Sequence, residues 1–104
     1  MTSLEINLTV KSVIKEQNKI SVEFSTNLDA SPDGKYKSFG GVEQLIKSLF
    51  TSLKDTDFKG LSLEYINDIW RHKTNTGLVW YFIAVLDYTG CMNRDQEIKV
   101  KLEK

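Results

Sequence analysis

The chain is 104 residues long, 40% apolar and 27% charged, with fourteen Lys and Arg against fourteen Asp and Glu. That is the length and composition of one globular domain, residues 1–104. Zero net charge announces neither a basic stripe for nucleic acid nor an acidic mimic of it, and the single cysteine, Cys91, excludes an internal disulfide framework.

Met1 to Glu5 carry no basic n-region and no continuous apolar run, so no signal peptide is expected. Cytoplasm is the expected compartment, which fits the cysteine usage. Leu4, Ile6, Leu8 and Val10 alternate with Glu5, Asn7, Thr9 and Lys11, the period of a half-buried strand. A polar break follows at Lys15–Lys19, and then Ile20, Val22 and Phe24 alternate with Ser21, Glu23 and Ser25, which predicts a hairpin. Thr26 to Ser38 is a polar loop with the only proline, Pro32, and an Asp33-Gly34 turn signal.

From Phe39 the period changes. Val42, Leu45, Ile46, Leu49, Phe50 and Leu53 form the apolar stripe of an amphipathic helix ending near Leu53, with Ser38 as its N-cap. Gly40 and Gly41 weaken the first turn, each by about 1 kcal/mol relative to Ala. Lys54 to Gly60 is a polar connection. Leu61, Leu63 and Tyr65 open a third strand, and Ile66, Ile69 and Trp70 continue it with a phase change that predicts a bulge near Ile66-Asn67. Asn75-Thr76-Gly77 turns the chain into Leu78–Leu86, an uncharged run too short to cross a membrane as a helix. After a turn at Thr89–Gln96, Ile98, Val100 and Leu102 alternate with Lys99 and Lys101 in a fifth strand that reads as an edge guarded by charge.

The predicted fold is therefore α+β, in the order β-β-α-β-β-β: a five-stranded antiparallel sheet with one amphipathic helix on one face. Short connections predict that the last three strands form a meander with the apolar strand in its middle. That strand poses a problem of coverage. Leu78, Trp80, Phe82, Ala84 and Leu86 line one of its faces, and Val79, Tyr81, Ile83 and Val85 the other. Five strands span roughly 24 Å, whereas a helix is about 10–12 Å wide. One helix shields two or three strands on one side, so the second apolar row, with Trp70 or Ile69 beside it, is left bare unless the sheet curls or the loop at 26–38 folds over it.

Several groups invite a chemical reading. Asp29-Ala30-Ser31-Pro32-Asp33-Gly34 resembles the first half of a calcium loop, but Gly40 stands where the bidentate Glu belongs, and no metal is expected. Lys35, Lys37, Ser38, Gly40 and Gly41 at the helix start are the best candidate for holding an anion or nucleotide, although the complete P-loop pattern is absent. His72 is placed in the hairpin turn among cations. Its chain separation from Cys91 argues against a Cys-His pair, and Cys91 reads as a small hydrophobe. Asp87 ends the apolar strand, with Asp68 as a conceivable neighbour on the next strand, and reads as a strand-end carboxylate reaching water. Tyr65, Trp70, Trp80, Tyr81, Phe82 and Tyr88 would suit base stacking only with Arg or Lys interleaved on the same face, so no nucleic acid is expected.

No catalytic or cofactor motif emerges, and neither an enzyme nor a cofactor is expected. The expected function is a small non-catalytic interaction protein that binds a protein partner, or a second copy as a homodimer, through a sheet face or edge. Trp70, Val79, Tyr81, Ile83 and Val85 are the expected partner-binding residues. Inhibitors, immunity-type proteins and bacterial or phage accessory proteins share this size and architecture, which is analogy rather than evidence. The alternative is a small-ligand binder using the Gly40-Gly41 helix start.

Overall fold

A computed structural model describes residues 3–53 and 58–103. The elements are β1 (Ser3–Glu16), β2 (Lys19–Asp29), α1 (Phe39–Leu53), β3 (Ser62–Thr74), β4 (Gly77–Asp87) and β5 (Glu97–Glu103). The five strands form one antiparallel sheet in the order β3-β4-β2-β1-β5, with α1 on one face. The fold class is the one the sequence predicts. The first part of the expected connection Lys54–Gly60, residues 54–57, lies outside the described residues.

Both hairpins form, but the C-terminal meander does not. β4 pairs with β3 and β2, while β5 crosses to the far side of the sheet and pairs with β1 from Ser3↔Glu103 to Thr9↔Glu97. The reason lies in the two strands. β4 is apolar on both faces and needs a covered interior place between β3 and β2, where its even row lies under the helix. β5 alternates with lysines and tolerates an edge. The segment between them buries Met92 in the core and reaches β1, where Asp95 N–H donates to the Val10 carbonyl and Val10 N–H to the Gln96 carbonyl, rather than making a tight turn.

The core lies between sheet and helix. Val42, Ile46, Leu49, Phe50 and Leu53 of α1 are buried, and Leu45 is half-buried. They meet Ile6, Leu8 and Val10 of β1, Ile20, Val22 and Phe24 of β2, and Trp80, Phe82, Ala84 and Leu86 of β4. Phe24, Phe50 and Phe82 form its centre, with ring centroids 5.0 Å apart for Phe24–Phe82, 5.9 Å for Phe24–Phe50 and 6.0 Å for Phe50–Phe82. Ser38 caps the helix as expected, its Oγ accepting from Gly41 N–H at 3.2 Å. Ser38→Ala is expected to cost about 1 kcal/mol, read as a lower urea midpoint.

Irregularities in the ladder explain where the alternation fails. β1 runs on to Glu16, beyond the expected break at Lys15, because its register shifts between Val10 and Ser12. Lys11 is the extra residue, so Val13 returns to the core face opposite Val22. In β3 the register shifts at Ile66/Asp68, at the predicted bulge, and again at Leu63/Tyr65. β2 extends through the expected loop to Asp29, and between Ser25 and Asp29 it bulges away from β4. There the Thr26 hydroxyl donates to the Trp80 carbonyl at 2.7 Å and accepts from Leu28 N–H at 3.1 Å. It stands in for the ladder bond that the bulge removes. Thr26→Val leaves that buried carbonyl unpaired, and a loss of about 1–3 kcal/mol in unfolding free energy is expected.

Candidate functional site

Strand register fixes which side chains share the face opposite α1. Across β2, β4 and β3, one row holds Ser21, Val85 and Tyr65; the next, Glu23, Ile83 and Asp68; the next, Ser25, Tyr81 and Trp70. Val79 lies opposite His72 at the hairpin end. All four odd-numbered residues of β4 from Val79 to Val85 are half-buried, as is Trp70. Tyr65 is 55% exposed, and so is Ile14 at 59%, opposite Ser21 on β1. Of the two neighbours considered from sequence, Trp70 shares this face, while Ile69 pairs with Phe82 on the helix side.

No described segment crosses this face. The loop after β2 goes to the helix side: Trp80 indole N–H donates to the Tyr36 carbonyl at 2.6 Å, and Arg71 donates to the Lys37 carbonyl at 2.6 Å. The Arg71 guanidinium lies 5.2 Å from the Trp80 ring and 5.4 Å from the Phe39 ring, and Phe39 meets Trp80 edge-on at 4.8 Å. These contacts clasp the loop against the helix-side row of β4. The lid that could have covered the second row is thereby committed elsewhere.

Within the bare face, Tyr81 organises the aromatics. His72 stacks on it at 4.3 Å, and Trp70 lies 5.8 Å from it. His72 therefore belongs to β3, not to the hairpin turn, which consists of Asn75 and Thr76. Nothing in composition signals this stacking; the period of two through Trp70 and His72 does, once β3 is extended to Thr74. Arg71 and Lys73 pair with Trp80 and Leu78 and so emerge on the opposite face. The aromatics thus lack interleaved cations, the arrangement that base stacking needs.

The bare face is narrower than a wholly apolar one. Glu23 and Asp68 flank Ile83 on both sides. Lys19 at the start of β2 reaches across to Glu64 at 3.1 Å, and this bond, with the charge attraction of Glu64, raises the lysine pKa above its ordinary value. Asp87 is exposed at the strand end. Asp68 lies opposite Ile83, whereas Asp87 lies opposite Ser62, so the two acids do not meet.

The other candidate groups are dispersed. Ser38, Gly40 and Gly41 sit together at the start of α1, with exposed Lys35 and Lys37 before them. Two of the N–H groups there already have partners, Gly41 on the Ser38 hydroxyl and Val42 on the Ser38 carbonyl at 3.2 Å. Asp29 accepts from Ser31 N–H at 2.9 Å, and Gly34 N–H closes the loop on the Ser31 carbonyl at 2.9 Å. The Ser31 bonds hold the Asp29 carboxyl below its usual pKa. A depressed folded pKa contributes stability above the unfolded value that is lost as pH falls through the folded one. The Asp29 carboxyl carbon is accordingly expected to titrate below the ordinary value of about 3.9 in an NMR pH series. Cys91, read from sequence as a small hydrophobe, is an exposed free thiol. Among the described residues no three His, Cys, Asp or Glu side chains gather as metal ligands, and no helix is long and apolar enough to cross a membrane.

A groove of about 530 Å³ separates α1 from β3, lined in part by Lys47, Phe50, Leu61, Tyr65 and Ile66. Its charged groups are already engaged: Lys47 with Glu43 at 3.1 Å and Glu64 with Lys19. No family model, curated protein or solved structure matches this chain.

Proposed function

We propose that the chain is a small non-catalytic interaction protein that binds through the outer side of β3 and β4, with a second copy of itself as its partner. Trp70, Val79, Tyr81, Ile83 and Val85 are the binding residues, and cytoplasm is the proposed compartment. One observation carries this reading: the helix, the core and the Tyr36–Lys37 part of the loop lie on the far side of β4, while among the described residues its second apolar row and Trp70 stay half-buried and outside the core. Apolar surface left in water is favourable to bury, at about 25 cal/mol per Å², and large contiguous patches of it mark binding sites. Aromatic anchors such as Trp and Tyr carry a disproportionate share of interface energy.

The test is sedimentation velocity up to the millimolar range. Wild type is expected to move as a monomer–dimer equilibrium. Trp70→Lys, at a half-buried position whose chain reaches water, is expected to keep the fold and sediment as a monomer. A wild type that stays monomeric throughout defeats the proposal.

A further inference from the structure

The sheet has two edges, and they are not alike. β5 has seven residues and carries Lys99 and Lys101, the means by which edges discourage further pairing. β3 has thirteen. Its first half is broken by the two register shifts at Leu63/Tyr65 and Ile66/Asp68, but from Asp68 to Thr74 it pairs regularly with β4. Thr74 and Gly77 close a two-residue hairpin, so their backbone groups face each other across it. Alternation from that pair turns the backbones of His72, Trp70 and Asp68 toward β4 and those of Lys73, Arg71 and Ile69 outward. Among the described residues, no backbone hydrogen bond from a turn or loop reaches these outward groups.

We infer that this segment pairs antiparallel with its own copy across a two-fold axis at Trp70, joining two sheets edge to edge. This inference rests on the self-association proposed above and specifies its geometry. Side-chain charge selects the register. Centred on Trp70, the pairing sets Ile69 against Arg71 of the second copy and Asp68 against His72, a carboxylate facing a ring that can donate an N–H to it. Centring on Arg71 sets arginine against arginine. Centring on His72 sets His72 against His72 and Arg71 against Lys73. Centring on Ile69 pushes the bulge at Ile66/Asp68 into the new ladder. Like charges directly opposite destabilise a strand pair, which the Trp70 register alone avoids without a bulge.

The Trp70 register also matches the backbone. Ile69 and Arg71, whose polar groups face outward, become the hydrogen-bonded pairs. Trp70 meets Trp70 at a non-hydrogen-bonded position, where side chains approach most closely. Arg71 keeps its bond to the Lys37 carbonyl, because its side chain lies on the helix face. Stacking the bare faces on each other is less favourable. With the axis along β4, β3 of one copy lies over β2 of the other and Asp68 over Glu23, two carboxylates withdrawn from water. Edge pairing leaves Glu23 solvated and gives Asp68 a partner.

Trp70→Cys in a Cys91→Ser background distinguishes these geometries. A non-hydrogen-bonded antiparallel pair holds Cα atoms about 4.5 Å apart, within disulfide reach, whereas stacked sheets stand about 10 Å apart. In a glutathione redox buffer, the Trp70→Cys, Cys91→Ser protein is expected to accumulate a disulfide dimer at least tenfold faster than wild type does through exposed Cys91. To spare the tryptophan, Asp68→Lys is expected to raise the dimer Kd about tenfold, and Asp68→Lys with His72→Asp to restore it. Glu23→Lys, on β2 and away from the β3 edge, leaves the edge untouched and should dimerise like wild type. If wild type dimerises but the disulfide introduced by Trp70→Cys forms no faster than collision and Glu23→Lys tightens the dimer by relieving its repulsion of Asp68, the faces stack; the edge register is then overturned and the proposed function stands. If wild type never dimerises, both fall.

Discussion

Phe82→Ala is expected to lower the unfolding free energy by about 3–5 kcal/mol, enough to leave the chain partly unfolded at moderate temperature. Phe82 is fully buried, stacked on Phe24 at 5.0 Å and edge-on to Phe50 at 6.0 Å. Its removal opens a cavity where Phe24 of β2 and Phe50 of α1 meet β4, and backbone ladders on both sides of β4 resist its collapse. The neighbouring substitution Ile83→Ala is the control. Ile83 points to the opposite face and is only half-buried, so a loss nearer 1 kcal/mol is expected, from shorter in-sheet contacts. Urea denaturation of the two variants measures the difference between adjacent residues of one strand. Equal losses would mean that both faces of β4 are covered to the same degree.

Trp80→Phe is expected to cost about 2–4 kcal/mol and to release the loop at 30–38. The indole N–H holds the Tyr36 carbonyl at 2.6 Å, and the ring carries both the Phe39 edge contact and the Arg71 guanidinium. Phenylalanine keeps most of the apolar volume but offers no donor to that carbonyl. Limited proteolysis reads the local effect: cleavage near Lys35 and Lys37 should accelerate in the variant well before global unfolding. Unchanged cleavage would show that Arg71 and its bond to the Lys37 carbonyl secure the loop alone.

Much of this architecture is legible in the residues because period and face coincide. The helix from Phe39 to Leu53 and both rows of β4 follow from apolar spacing, and the guarded edge follows from Lys99 and Lys101. Strand order does not. A sequence of strands joined by short turns suggests neighbours, but the segment at 88–96 buries Met92 and carries β5 past two strands. That outcome depends on which rows of β1 and β4 need the centre of the sheet, a non-local balance with no local signal. The bulges at Lys11 and at Thr26–Leu28 likewise turn alternation into apparent loop. On the bare face, the row Val79–Val85 and Trp70 are readable from the period of two. The acidic flanks of Ile83 and the His72–Tyr81 stack need the register. The anion-site residues are adjacent in sequence and remain so in space, but the serine that opens the helix occupies one of the N–H groups a ligand would use.

The proposed interface makes the two edges of the sheet behave differently in solution, and a concentration series of backbone amide NMR spectra reads both at once. On dilution from the millimolar to the low micromolar range, amides of Asp68 to His72 and of Tyr81 are expected to shift together along one binding curve, while those of Glu97 to Glu103 and of the buried helix face hold still. Spectra that superimpose at every concentration, or shifts gathered on β5 instead, would contradict an outer β3–β4 surface made for a second copy.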